Sequence, residues 1–241
     1  SMKDEKLSDQ GNEVAWGTIG NASTSEGLFF ETLNAAGVLQ VPMVISVWDD
    51  GYGISVDNAF QTVKESISEA MRGMQRTDDK AGIEIIEVEG WNYPALIEAY
   101  TRASELARSA HVPVLIHVQE LTQPLGHSTS GSHERYKSEA RLQWEKEYDC
   151  NLTFKNWILE KKISTEDELA AIEEKASTAA KEAKTAAWKA YLAPIDEERQ
   201  EAQQLAEALI ANAQDPEALA PLAVVLSKKN IISFNQSLYH L

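Results

Sequence analysis

Residues 19–55 read IGNASTSEGLFFETLNAAGVLQVPMVISVWDDGYGIS, and they decide the fold. One β-rich run, residues 14–19, ends on Gly20-Asn21-Ala22-Ser23, and a second, residues 42–48, ends on Asp49-Asp50-Gly51-Tyr52. Between them residues 25–40 carry helical spacing, with Phe29, Leu33 and Ala36 on one face. A strand, a helix and a strand of these lengths predict a right-handed crossover between parallel strands. Ser23 stands three residues before Glu26 and is read as a capping box at the helix start, and Pro42 marks the next boundary.

The alternation continues outward. Residues 83–89 and 112–121 are further β-rich runs, and residues 57–76 and 94–110 have helical character. The expected fold is α/β: a parallel sheet with flanking helices on both faces. Beyond residue 131 the sequence becomes charged and helical. Ser164-Thr165-Glu166-Asp167-Glu168 reads as a helix start, followed by an Ala/Glu/Lys-rich run that Pro194 is expected to end. The expected division is residues 1–135 as the α/β domain, 136–193 as a helical continuation, and 194–241 as a helical connector or tail.

With 241 residues, 43% hydrophobic and 25% charged, the chain can bury one sizeable core plus an appendage. A formal net charge of −16 argues against a nucleic-acid partner, which requires clustered Lys and Arg. The single cysteine, Cys150, has no internal partner and fits a reducing compartment. The longest apolar runs, residues 41–48 and 112–118, are too short to span a bilayer, and the N-terminus lacks a signal-peptide pattern. A cytoplasmic protein without membrane association is therefore expected. Ser1 ahead of Met2 is read as an expression scar, so the chain is expected to start at an artificial boundary.

In an open parallel sheet, ligands bind beyond the carboxyl ends of the strands. Four clusters follow the four strands: residues 20–23, 49–52, 90–92 and 126–130. The first opens into a helix, where backbone N–H groups favour an anion such as phosphate. The second offers a carboxylate and backbone carbonyls, the oxygen donors a hard cation prefers. His127 lies among small polar residues on a loop and is the histidine with functional promise. His111 and His117 flank or lie in a strand and read as structural, whereas His133 and His240 are expected in solvent. Cys150 and the acidic run at residues 166–207 are assigned no chemistry.

These clusters resemble the α-type chain of the thiamine-diphosphate-dependent decarboxylating component of 2-oxo acid dehydrogenases, of the branched-chain and pyruvate types. That family carries Gly-Asp-Gly-Ala-Thr-Ser-Glu-Gly where this chain has residues 20–27, and Asn-Asn-x-Tyr-Ala-Ile-Ser where it has residues 49–55. Residues 126–130 resemble the family's His-Ser-x-Ser loop. The resemblance covers residues 14–192 and implies a thiamine-diphosphate-binding fold, N-terminally truncated here, with Mg²⁺ bound through Asn21, Asp50 and the Tyr52 carbonyl. It also implies cofactor contacts from Gly20, Ala22, Ser23, His127 and Ser128, with His127 as the catalytic residue near the reacting end of the cofactor.

The family's usual carboxylate and amide ligands are exchanged between Asn21 and Asp50, which leaves the ligand charge unchanged. Trp48 stands where branched-chain relatives carry an arginine. The resemblance further implies two partners, a β-type dehydrogenase region that supplies the activating glutamate and a lipoyl-bearing acyltransferase component, within an oligomer. The chain is expected to be part of a fused α–β polypeptide and to bind thiamine diphosphate weakly or not at all alone. The alternatives are a transketolase-like enzyme and a non-catalytic α/β assembly subunit.

Overall fold

The computed structural model describes residues 8, 10–127, 133–217, 219 and 221. Residues 1–164 and 165–241 are two compact units.

The first unit is built on a four-stranded parallel sheet. Its strands are β1 (Ala15–Gly20), β2 (Met43–Trp48), β5 (Glu84–Glu89) and β6 (Val114–Gln119), in the spatial order β1-β2-β6-β5. A two-stranded hairpin, β3 (Tyr52–Gly53) and β4 (Val56–Asp57), follows β2. Each main strand lies within two residues of the run that predicted it.

The helices take the faces that handedness demands. The chain moves across the sheet in one direction from β1 through β2 to β5 and then steps back to β6. Right-handed crossovers therefore put the last helix on the opposite face from the earlier ones. Helix α1 (Gly27–Leu39) and the five-residue α2 (Ile67–Met71) cover one face. There Phe29, Leu33 and Ala36 of α1 pack with Val47, Ile67, Met71, Ile83 and Leu115. Helix α3 (Tyr93–Ala110) covers the other, with Ala99, Ala103 and Ala107 against Val44, Ile86, Val114, Ile116 and Val118. The i, i+4 alanine spacing lets α3 approach the strands closely.

Three local expectations are corrected. Glu26, not Ser23, is the N-cap of α1; Ser23 lies in a 3₁₀ turn (Ala22–Ser25), and no side chain caps either element. Residues 57–76 are not one helix but three short 3₁₀ turns around α2. The reason is local: the Asp57 carboxylate accepts from Ala59 N at 2.9 Å, and Ile54, Lys64 and Glu65 adopt positive φ. Side chain to backbone bonds of this kind compete with the helix ladder.

Helix α4 (Glu139–Glu147) is capped by Ser138 and α5 (Cys150–Glu160) by Asp149. Phe154 of α5 lies 4.1 Å, centroid to centroid, from Tyr93 of α3, which fastens α5 to the sheet layer. Cys150 Sγ lies 3.4 Å from Thr122 Oγ1.

The second unit is dominated by α6 (Glu166–Ala211), which begins at the predicted helix start, with a capping box between Thr165 and Glu168. The third correction falls here, because Pro194 sits inside this helix and does not end it. Proline forfeits one i→i−4 bond at a cost of about 3 kcal/mol, and the surrounding Ala, Leu and Glu residues are strong helix formers that sustain the helix across it. Among the described residues no helix is long and apolar enough to cross a membrane.

Candidate functional site

Parallel pairing brings the four carboxyl ends to one rim: Gly20 is opposite Trp48, Trp48 opposite Val118, and Glu89 opposite Gln119. The rim is divided in two. Over β1 and β2 lies a cleft of about 790 Å³ lined by Gly20, Asn21, Ala22, Ser23, Asp50, Tyr52 and His127, with Trp48 on its wall. Seven predicted site residues thus meet in one place. Ser128, with residues 129 and 130 of the same loop, lies outside the described residues.

The third predicted cluster faces elsewhere. Trp91 lines a separate pocket with Glu89, Glu120, Arg141, Trp144 and Tyr148, and the Asn92 side chain caps α3 by accepting from Ala95 N at 3.2 Å.

The first loop is pinned by the Asn21 N–H, which donates to Trp48 O at 3.1 Å. The N–H groups of Ala22 and Ser23 open the 3₁₀ turn, and the first donors of such a turn have no acceptor within it. A Cβ on Gly20 would meet nothing within 4 Å, so this floor is open, whereas one on Gly53 would lie 2.7 Å from Ala22 Cβ. The two loops therefore touch through a glycine that no larger residue can replace without displacing one of them.

Asn21 and Asp50 are both buried. The Asn21 Nδ2 donates to Tyr52 O at 3.0 Å and to Asn58 Oδ1 at 2.9 Å. Asp50 Oδ1 accepts from Tyr52 N at 3.1 Å. Burial pushes the Asp50 carboxyl above its usual 3.8, against the Tyr52 N–H and the Lys137 charge, which favour the anion. A bound divalent cation would reverse that shift. Lys137 is itself buried in an ion pair with Glu145 at 2.7 Å and lies 5.0 Å over the Tyr52 ring.

The donor set of Asn21, Asp50 and the Tyr52 carbonyl is oxygen only with one carboxylate. Among the described residues no group of three His, Cys, Asp or Glu could hold a metal ion. Such a set suits a hard cation that completes its shell with phosphate oxygens and water. The residues present fit Mg²⁺ held jointly with a diphosphate.

Several participants escaped sequence reasoning. Asn58 links Asn21 to Asp49, whose carboxylate accepts from Asn58 Nδ2 at 2.9 and 3.1 Å and from Gly51 N at 2.8 Å. Behind Asp49, fully buried His117 places Nε2 2.9 Å from Asp49 Oδ2. Burial opposes the Asp49 charge, but the bonds from His117, Gly51 and Asn58 outweigh it and hold the carboxyl below 3.8. His117 is structural in the sense expected of it, but it braces the site floor. Arg141 reaches Asp50 O at 3.3 Å and Glu120 at 2.7 Å.

His127 is exposed at the lip of the cleft, and its backbone bonds to the Tyr136 side chain. His111 ends α3 with φ 53 and lies 3.1 Å from Asn12 Oδ1, in keeping with a structural role. His133 was expected in solvent and is instead half-buried beside Gly126, with Nε2 3.3 Å from Glu134. The close fit under Gly126 removes it from water. His240 lies outside the described residues.

The chain is similar in sequence to known proteins. The chain is 24% identical over 172 residues to the pyruvate dehydrogenase E1 component subunit alpha of Rickettsia felis, covering 71% of this chain and 50% of that one. It is 31% identical over 142 residues to the mitochondrial 2-oxoisovalerate dehydrogenase subunit alpha 2 of Arabidopsis thaliana, covering 58% of this chain and 28% of that one. Against the mitochondrial pyruvate dehydrogenase E1 component subunit alpha of Dictyostelium discoideum the figures are 27% over 197 residues, 81% and 48%. The chain thus spans about half the length, or less, of these curated relatives. The dehydrogenase E1 component family itself matches residues 5–195, which include both polar loops and every strand, and this chain belongs to it.

Proposed function

We propose that the chain supplies the metal- and diphosphate-holding half of a thiamine-diphosphate site, in a protein that decarboxylates a 2-oxo acid and passes the acyl group to a lipoyl carrier. The observation that carries this reading is the meeting of Asn21, Asp50 and the Tyr52 carbonyl beside the open Gly20–Ser23 turn in one cleft. Asn21, Asp50 and Tyr52 O hold Mg²⁺, and the Ala22 and Ser23 N–H groups, with Gly20 giving clearance, receive the diphosphate. Thiamine diphosphate, when bound, supplies the carbanion chemistry. His127, at the lip of the cleft, moves a proton to or from the reacting group, and Ser128 is a cofactor contact.

The site is completed by a β-type region, fused or separate, that provides the activating carboxylate, and a lipoyl-bearing acyltransferase component receives the product. The half-exposed β1 supports such assembly, since parallel strands are ordinarily covered on both faces and β1 forms a sheet edge with Trp16 47% exposed. The cytoplasmic placement rests on the lone cysteine of the sequence.

The test is 2-oxo-acid-dependent reduction of an artificial electron acceptor by the full-length protein with its β-type partner. Turnover should require both thiamine diphosphate and Mg²⁺, and Asp50→Ala should reduce it at least about a hundredfold. Turnover indifferent to Mg²⁺, or ketol transfer in place of decarboxylation, would overturn the reading.

A further inference from the structure

The exchange of side-chain types between Asn21 and Asp50 has a physical partner beneath the cleft. An asparagine can offer a metal either its oxygen or its NH₂ group, and only the oxygen binds, so the orientation of the Asn21 amide decides whether it is a ligand at all. Nothing about the side chain itself fixes that orientation. The hydrogen-bond chain behind it does.

That chain begins at Glu87 on β5, an acceptor held by Arg72 at 2.6 Å. Gln119 must therefore turn its NH₂ group to Glu87, at 2.9 Å, and the same group lies 3.1 Å from His117 Nδ1. The Ser68 backbone N–H also points at Nδ1, at 3.4 Å. Neither of these two groups can accept, and the Ser68 hydroxyl, 3.0 Å from Nδ1, can donate to it as well. With two N–H donors aimed at it Nδ1 is the acceptor, and the ring carries its proton on Nε2, where it donates to Asp49. The Asp49 carboxylate accepts only, which forces the NH₂ of Asn58 toward it and the Asn58 oxygen toward Asn21. Asn21 must answer with its NH₂, which it shares with Tyr52 O. Among the described residues Asn21 Oδ1 is left unengaged, on a residue that lines the cleft.

We propose that Asp49, with Asn58 in front of it and His117 behind, is the positioning residue that turns the Asn21 oxygen toward the metal, and that this relay is what allows asparagine to stand at position 21. The inference rests on the thiamine reading given above. It makes a counterintuitive prediction. Asn21→Asp would add a charged oxygen ligand, yet the carboxylate would confront two acceptors, Asn58 Oδ1 and Tyr52 O, that Asn21 now satisfies as donor. Asp49→Asn frees the Asn58 amide to turn over, which scrambles Asn21 when that residue is unchanged but lets Asn58 donate to the carboxylate at position 21 in the double variant. Recovery there is partial, because the NH₂ group introduced at position 49 faces either the Gly51 N–H or His117.

The experiment is a double-mutant cycle in the full-length protein assembled with its β-type partner. Calorimetry reads the Mg²⁺ concentration needed for half-maximal thiamine diphosphate binding, and thermal unfolding is followed on the cofactor-free protein. Each single variant should raise the Mg²⁺ requirement about tenfold, and N21D/D49N should need about threefold less than N21D alone, where independent effects would need about tenfold more, a difference on the scale of coupling between touching polar groups. The unfolding temperature of N21D should likewise rise when D49N is added. A merely structural role for Asp49 would lower the unfolding temperature without this sign reversal in Mg²⁺ requirement. Additive losses, or tighter Mg²⁺ binding by N21D alone, overturn the proposal while leaving the thiamine reading intact. Absence of Mg²⁺-dependent binding in the wild type overturns both.

Discussion

Two crossovers in the sheet unit do different work. Between β5 and β6 the chain forms one capped helix, α3, whose buried alanines lie against the strands. Between β2 and β5 it forms a hairpin, three 3₁₀ turns and a five-residue helix, with three non-glycine residues at positive φ. The regular crossover contributes packing, and the irregular one contributes Asp49, Asp50, Tyr52, Asn58 and Ser68. A helix presents side chains along a stripe and uses its carbonyls internally. A site that needs the Tyr52 carbonyl and four side chains from residues 49–68 around two loops cannot be built from one. Giving up the helix is what lets that segment bring its polar groups under the β1 loop.

The largest effect should come from the well-packed layers. Leu115 on β6 is fully buried, and Leu115→Ala should cost about 2–5 kcal/mol in denaturant unfolding, from lost burial plus the cavity left behind. A loss below about 1 kcal/mol would mean that the sheet core is looser than its burial indicates.

A smaller stability effect with a larger functional one belongs to the irregular segment. At Gly53 an added Cβ would lie 2.5 Å from Gln61 Oε1 and 2.7 Å from Ala22 Cβ. The glutamine can swing away, but Ala22 is on the loop proposed to receive the diphosphate. Gly53→Ala should therefore cost about 1–3 kcal/mol and weaken Mg²⁺-dependent thiamine diphosphate binding disproportionately. Unchanged cofactor binding in a folded Gly53→Ala protein would show that the contact between these loops is dispensable.

The two crossovers also differ in how far they can be read from sequence. The segment at residues 94–110 declares itself through Pro94 near its start and small residues at helical spacing, and α3 occupies nearly the same span. Residues 57–76 carry enough helix formers to suggest the same, but Phe60 and Val63 turn out 85% and 73% exposed, so no continuous apolar stripe exists to hold a helix down. Ser23 misleads in a similar way: its spacing to Glu26 is that of a capping box, but the chain there is still completing the turn that opens the cleft. The Gly20–Ser23 and Asp49–Tyr52 loops were legible because each is contiguous and follows a strand. Asn58 and His117 were not, since their partners Asn21 and Asp49 lie 37 and 68 residues away in sequence, and no local pattern marks a hydrogen bond that only the fold creates.

The smallest expected effect lies where the irregular segment meets β5. Burial alone would raise the Glu87 carboxyl above 4.5, but the bonds from Arg72, Gln119 and Ser68 prevail and hold it lower. A carboxyl depressed in the folded state contributes stability that is present above its ordinary value and is lost as pH falls through the folded one. The window therefore lies below pH 4.5. With the Glu87 side chain 40% exposed, water screens the pair with Arg72 and the effect is modest. Glu87→Gln should unfold at a slightly lower temperature than the wild type at neutral pH, and the two curves should converge as pH falls from about 5 to about 3. Parallel curves across that range would assign the acid sensitivity to other carboxylates. Because Glu87 also orients Gln119, the same variant leaves the outer end of the His117 relay without a fixed acceptor. Ser68 N–H still holds Nδ1, so Mg²⁺ dependence should shift far less than in Asp49→Asn, which separates the relay's anchor from its working end.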